Sequence, residues 1–272
     1  MRDALDRRGL LRLVAGGVAA GALAPFAERT AGAAPATTSG TWDAVVFDAF
    51  PIFDPRPVFA LAEELHPGRG AELSAAWRTR QFEYQWLRAL AGRYADFVRT
   101  TEQGLVHAAS QLGLPLPPES RKRLVDAYFA LGAWPDVPAS LAALKKAGLR
   151  LGLLSNMTPA LLEAGLRNAG LAGAFEHVLS TDRLRSYKPD PRAYQLALDA
   201  FGLPRERILF VAFAGWDAAG ARWFGYPTFW VNRLGAPPEE LDATPDGVGP
   251  GLGDLVRFVE DARRASKTTS PG

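Results

Sequence analysis

Two aspartates, a lysine and a serine–asparagine pair stand where this chain can do chemistry. Asp48 ends the apolar run that starts at Asp43, and Ser155-Asn156 ends the run from Leu149. Lys188 follows the run Glu176 to Ser180 by several residues, and Asp217 follows the run Arg207 to Phe213. Ligands of open parallel sheets bind outside the carboxyl ends of the strands. If these runs are strands, two carboxylates, a hydroxyl with an amide, and a cation meet on one edge. Each residue also has an ordinary use. Asp, Ser and Asn form turns and helix caps, and a lysine before proline is commonly a solvated loop residue. The shared edge makes the joint case stronger than any single member.

Other chemistries are poorly supplied. Cys is absent, which removes disulfides, thiolate nucleophiles and Cys-ligated metals. His66, His107 and His177 are far apart in sequence, so a zinc site is not expected. No glycine fingerprint follows the first run, and no GxxxxGK[ST] or Gly-x-Ser-x-Gly motif occurs. Dinucleotides, P-loop nucleotides and a serine elbow are therefore poor candidates.

The positioning elements follow from periodicity. Short apolar runs at 43–48, 149–155, 176–180, 207–213 and 227–231 read as buried strands. Helical stretches at Pro138–Ala147, Pro159–Ala169, Pro191–Phe201 and Trp216–Phe224 alternate with them. Three open on Pro, and a Gly stands just past each end, as helix starts and stops do. This predicts an α/β fold, a parallel sheet with helices on both faces. From Pro57 to Trp134 helix formers dominate, broken at His66-Pro67-Gly68, at Gly92 and around Pro115–Pro118. That interval is too long for a crossover and reads as an inserted cap of about four helices. After Gly235 the chain is Pro/Gly-rich up to a last helix, Leu252 to Ala265.

Taken together, Phe47-Asp48, Leu154-Ser155-Asn156, Tyr187-Lys188-Pro189-Asp190 and Gly215-Trp216-Asp217-Ala218-Ala219-Gly220-Ala221 resemble the haloacid dehalogenase superfamily. The stretch Trp77 to Arg88 is similar, more narrowly, to the type II 2-haloacid dehalogenases, which hydrolyse L-2-haloacids. The similarity runs from about Trp42 to Val259. It implies a Rossmann-like core with an inserted all-helical cap.

The resemblance also implies roles. Asp48 would be the nucleophile, forming an ester with the substrate carbon. Arg78 would assist the leaving halide from the cap. Lys188 would offset the carboxylates, and Asp217 would position or activate the water that cleaves the ester. Ser155 and Asn156 would lie near the substrate carboxylate. Tyr194 matches a family tyrosine near the lysine. Phe50, Phe82, Phe97 and Trp216 would form an apolar pocket, although such aromatics serve equally well as core. Superfamily phosphatases carry a second Asp two residues after the nucleophile and hold Mg²⁺. Phe50 stands there, so phosphoryl transfer is disfavoured and no metal or cofactor is expected.

Three departures stand out. The family usually has Tyr-Gly-Thr where this chain has Phe50-Pro51-Ile52. It has Ser-Ser-Asn where this chain has Ala212-Phe213-Ala214, and a pocket glutamine where Thr79 stands. Such losses fit a retuned, drier pocket or a weakened one. The alternatives are another superfamily hydrolase, phosphatase-like, or a small-carboxylate-binding homologue that turns over poorly. A homodimer is left open by the resemblance.

The 272-residue chain is otherwise ordinary: 48% hydrophobic, 22% charged, net charge +2. The first 33 residues hold five Arg and three acids, so the remainder is neutral and carries no nucleic-acid signature. Arg7-Arg8-Gly9-Leu10-Leu11-Arg12 precedes an uncharged, Gly/Ala-rich run to Ala27. It resembles a twin-arginine export signal ending near Ala33, and it is too short and weakly apolar for a stable membrane span. The expected division is a signal at 1–33, a leader at 34–40, a core at 41–56 and 135–265, a cap at 57–134 and a tail at 266–272. The expected partner is a small-molecule substrate, and the expected location is periplasmic or otherwise exported.

Overall fold

The computed structural model describes residues 42–268; the expected export signal and leader lie outside them, as do residues 269–272. Six strands form one sheet: β1 (Ala44–Phe47), β2 (Arg150–Ser155), β3 (His177–Ser180), β4 (Ile208–Ala212), β5 (Thr228–Val231) and β6 (Gly247–Gly249). The order is β3-β2-β1-β4-β5-β6 and every pairing is parallel. The alternation of side chains along a strand explains the continuous apolar runs. Val45, Phe47, Leu151, Leu153, Leu209 and Val211 join one buried cluster. Ala44, Val46, Leu154, Ile208, Phe210 and Ala212 join another.

Helices cover both faces. Helices α5 (Val137–Lys146), α6 (Pro159–Asn168) and α9 (Leu252–Thr268) supply Leu141, Leu162 and Leu255 to the first cluster. Helices α7 (Pro191–Phe201) and α8 (Gly215–Phe224) supply Tyr194, Ala197, Ala218 and Ala221 to the second. Between β1 and α5 the chain inserts four more helices: α1 (Arg56–Leu65), α2 (Gly70–Leu90), α3 (Phe97–Gln111) and α4 (Pro118–Asp126). Helix α2 is knit to α3 by Trp77 Nε1, which donates to the Thr101 carbonyl at 2.7 Å. Gln81 Nε2 donates to Thr101 Oγ1 at 2.6 Å.

The same helical insertion is tied to the core segment that carries Lys188. Trp86 Nε1 donates to the Lys188 carbonyl at 3.2 Å. The Tyr187 hydroxyl donates to the Ala95 carbonyl at 2.5 Å, and the Tyr94 hydroxyl to Asp182 Oδ1 at 2.5 Å.

The strand β6 is the element that periodicity does not predict. Its sequence, Gly247-Val248-Gly249, has no apolar alternation. Both glycines are required by close approach. A Cβ on Gly247 would fall 2.7 Å from the Phe229 ring, and one on Gly249 would fall 2.3 Å from Asp254 Cβ. Packing at the sheet edge, rather than strand propensity, selects this sequence.

Candidate active site

The chain runs outward from β1 through β2 to β3, then returns to pair β4 against the other side of β1. The crevice at that switch, beyond the strand ends, is where such folds bind ligands. Asp48 sits there, one residue past β1, its N–H donating to the Val211 carbonyl of β4 at 2.8 Å. Asp217 sits across from it in the first turn of α8, where the helix dipole favours a carboxylate.

Lys188 joins the two. Its Nζ donates to Asp48 Oδ1 at 2.7 Å and to Asp217 Oδ2 at 2.6 Å, and the side chain is only 1% exposed. Burial opposes its charge, but the two carboxylates overcome this and hold its pKa above the usual lysine value. Burial also pushes the Asp217 carboxyl up to about 6, against the opposing pull of the Lys188 ammonium. The Tyr194 hydroxyl donates to Asp217 Oδ1 at 2.8 Å. The second oxygen of Asp48 accepts from the Phe50 N–H at 3.1 Å.

Asn156 shapes the lysine segment. Its Oδ1 accepts from the Lys188 N–H at 2.9 Å and from Thr181 Oγ1 at 3.3 Å. Ser155 Oγ accepts from the Met157 N–H at 3.1 Å. Both residues line a cavity of about 40 Å³ together with Asp48 and Asp217. Its walls are mostly aromatic: Phe50, Phe82, Phe97 and Trp216, with Phe59, Tyr128 and Phe213. The Phe82 and Trp216 rings meet edge to face at 5.3 Å.

Arg78, from α2, lines the same cavity. Its guanidinium carbon lies 5.8 Å from the centres of both the Phe82 and Phe213 rings. Burial lowers its pKa from the usual arginine value, with Tyr128 and Asp48 opposing. Among the described residues no carboxylate forms an ion pair with it, whereas Lys188 in the same site pairs with two. A cation without a partner in an aromatic cavity is poised for an arriving anion.

A protein-family model described as haloacid dehalogenase-like hydrolase matches residues 32–225. The chain belongs to this family. An (S)-2-haloacid dehalogenase of Pseudomonas sp. (strain YL) is 45% identical over 219 residues, spanning 80% of this chain and 94% of that protein. Haloacetate dehalogenase H-2 of Moraxella sp. (strain B) is 39% identical, spanning 80% of this chain and 97% of that protein. Among solved structures, an L-2-haloacid dehalogenase superposes with a TM-score of 0.79 at 46% identity, spanning 81% of this chain and 99% of that one. The Xanthobacter autotrophicus enzyme with chloropropionic acid covalently bound superposes at 0.74 with 37% identity, over 81% of this chain and 99% of that one.

In this haloacid dehalogenase-like hydrolase most of the expected site residues converge. Asp48, Arg78, Asp217, Ser155, Asn156, Phe50, Phe82, Phe97 and Trp216 all line the cavity. Lys188 stands behind the two carboxylates. Tyr194 is fully buried behind Asp217 and does not line the cavity, so it reaches a ligand only through that carboxylate. Ile52 and Ala212 are fully buried among apolar neighbours. Phe213 fills the pocket wall while its carbonyl accepts from Trp230 Nε1 at 3.0 Å. Asp217 and Lys188 thus keep their partners without the polar side chains usual at 212 and 214.

Other site residues were not legible in sequence. Gln81 and Tyr128 line the cavity. Gln81 follows Arg78 by three residues on one helix, so helical spacing alone places them on one face. Trp134 and Arg233 carry no such signal. Trp134 Nε1 donates to the Phe50 carbonyl at 2.9 Å, and its backbone N–H to the Ile52 carbonyl at 3.0 Å. Arg233 Nη2 donates to the Pro51 carbonyl at 3.0 Å and pairs with Asp136 at 2.8 Å. Three successive carbonyls after Asp48 are therefore held by two distant loops. Among the described residues no group of three His, Cys, Asp or Glu is arranged to hold a metal ion, and no helix is long and apolar enough to cross a membrane.

Proposed function

We propose that this chain hydrolyses the carbon–halogen bond of small 2-haloacids through an ester on Asp48, releasing a 2-hydroxy acid and halide. The observation that carries the reading is the pairing of opposites in one cavity. A carboxylate held by Lys188 faces an apolar space that also contains the unpaired Arg78. Carbon–halogen cleavage needs a nucleophile, an anion-stabilising cation for the leaving group, and little water.

An Asp48 oxygen attacks the carbon bearing the halogen, the carbon–halogen bond breaks, and halide departs with its electron pair toward Arg78. Ser155 and neighbouring backbone amides bind the substrate carboxylate. Water then attacks the ester carbonyl of Asp48, and the ionised Asp217 accepts its proton. Solvent oxygen enters Asp48, the former Asp48 oxygen leaves on the 2-hydroxy acid with the proton that Asp217 took, and the remaining water proton passes to solvent as Asp48 returns to its carboxylate. Halide needs no proton, so the apolar Phe50 beside the nucleophile is no defect. The covalently bound acid in the Xanthobacter autotrophicus homologue supports this route.

The test is halide release from bromoacetate and 2-chloropropionate in EDTA, beside the variant Asp48→Asn. The expected loss in the variant is on the order of 10⁴-fold or more. Single turnover in ¹⁸O-water with excess enzyme then puts protein oxygen into the first product. Solvent oxygen in that product, or Mg²⁺-dependent phosphatase activity in place of halide release, sinks the reading.

The reading extends to location. The paired arginines at 7 and 8, with the uncharged run after them, support export by a twin-arginine-type route. Arg7→Lys with Arg8→Lys is expected to hold the protein in the cytoplasmic fraction. Equal export of that variant and the parent would remove the signal.

A further inference from the structure

The most exposed residue lining the catalytic cavity is one that neither the motif pattern nor the proposed reaction uses. Leu234 lines the same cavity as Asp48 and Arg78, yet it is 49% exposed. A side chain with one face on the cavity and the other in water is a rim. Phe59 of α1, half-buried, lines the cavity with it.

This rim is built, not loose. Asn232 closes the turn through both ends of its amide: Nδ2 donates to the Ala236 carbonyl at 2.8 Å, and Oδ1 accepts from the Ala236 N–H at 2.9 Å. Gly235 takes the left-handed conformation, φ +62°, that the tight turn requires. Arg233 roots the turn from beneath. Its side chain is 8% exposed, pairs with Asp136, donates to the Pro51 carbonyl and stacks 4.5 Å from the Trp134 ring centre. The Pro51 carbonyl, on the loop that follows the nucleophile, and the tip bearing Leu234 therefore share one anchor.

The cavity of about 40 Å³ has room for only a few water-sized groups. A haloacetate makes the smallest demand on this space. Each further carbon on the reacting atom demands more, and the rim at Leu234 is the exposed part of the lining toward which it can extend. We infer that Leu234, held in place by the Asn232–Ala236 turn, is a specificity-determining residue that limits the length of the substrate's alkyl chain. The inference rests on the dehalogenase reading above.

The measurement is the ratio of kcat/KM for 2-bromohexanoate to that for bromoacetate. Leu234→Ala is expected to raise the ratio about tenfold, the scale of a methylene group in an apolar pocket, and Leu234→Trp to lower it. Asn232→Ala, which unlocks the turn, should raise it by a smaller factor. A ratio unchanged in both Leu234 variants overturns the inference, whatever the absolute rates. If the parent releases no bromide from either acid, the reaction reading is what fails. Dissociation constants of glycolate and 2-hydroxyhexanoate then report the same selectivity without turnover, and an unchanged ratio of those constants in Leu234→Ala overturns the rim as well.

Discussion

The two sides of the cavity are built on opposite principles. On the sheet side, Asp48, Lys188, Asp217 and Tyr194 satisfy one another in a chain of hydrogen bonds between 2.6 and 2.8 Å. On the cap side, Arg78 sits among aromatic rings, feels Asp48 across the cavity, and has no ion-pair contact among the described residues. The first arrangement is complete before any ligand arrives. The second is completed by the ligand. Their difference separates groups that fold into place from a group that waits, and it predicts different costs when each is removed.

The largest expected contrast is between Lys188→Met and Arg78→Ala. Removing Lys188 leaves two buried carboxylates facing each other, and should cost about 3–5 kcal/mol of folding stability along with activity. Removing Arg78 deletes a half-buried charge that has no ion-pair contact among the described residues. Its lost cation–π contacts are offset by relief of desolvation, so stability should stay within about 1 kcal/mol. Turnover should nevertheless fall by roughly 10²–10³-fold, as when one stabilising donor is taken from a transition state. Denaturant melts and halide-release rates of both variants read the comparison directly. Equal stability losses in the two variants would erase it.

A smaller effect tests how the sheet side is tuned. Burial sets the Asp217 carboxyl near 6, and the Tyr194 hydrogen bond pulls it down. A base acts when ionised, and esterification of Asp48 removes one of the charges that raise Asp217, so kcat should fall as pH drops below about 6. Tyr194→Phe removes a bond to the ionised form, which raises the carboxyl further and moves this acid limb to higher pH. A limb that stays in place would mean that the rate-limiting step does not use Asp217.

The smallest effect concerns the loop that presents the nucleophile. Trp134→Phe removes the donor to the Phe50 carbonyl and should cost about 1 kcal/mol of stability. A lowered kcat with unchanged KM would mark Trp134 as a positioning residue. A rise in KM alone would assign it to substrate binding instead.

Much of the sheet was legible because a strand buried on both faces needs continuous apolar residues, as Ala44 to Phe47 and Ile208 to Ala212 supply. The Pro at the starts of α6 and α7 made their boundaries readable to a residue or two. Strand β6 was not legible, since its glycines answer to the Phe229 ring and Asp254 rather than to periodicity. The same division holds at the site. Asp48 and Asp217 follow strand ends and could be found by topology, and the resemblance supplied Arg78. Trp134, Arg233 and Leu234 act from loops whose spatial neighbours lie far away in the chain. Tyr194 was legible as a neighbour of the lysine, but only the structure sets it behind Asp217, out of the cavity.

The bond from Trp86 to the Lys188 carbonyl makes the lid part of the charge machinery. With the Tyr187–Ala95 and Tyr94–Asp182 links, it clasps the lysine segment from above while Asn156 clasps it from below. Lifting the cap would break three hydrogen bonds and loosen the loop that aims the ammonium. The contacts that roof the reaction space are thus the same ones that keep its counter-ion in place.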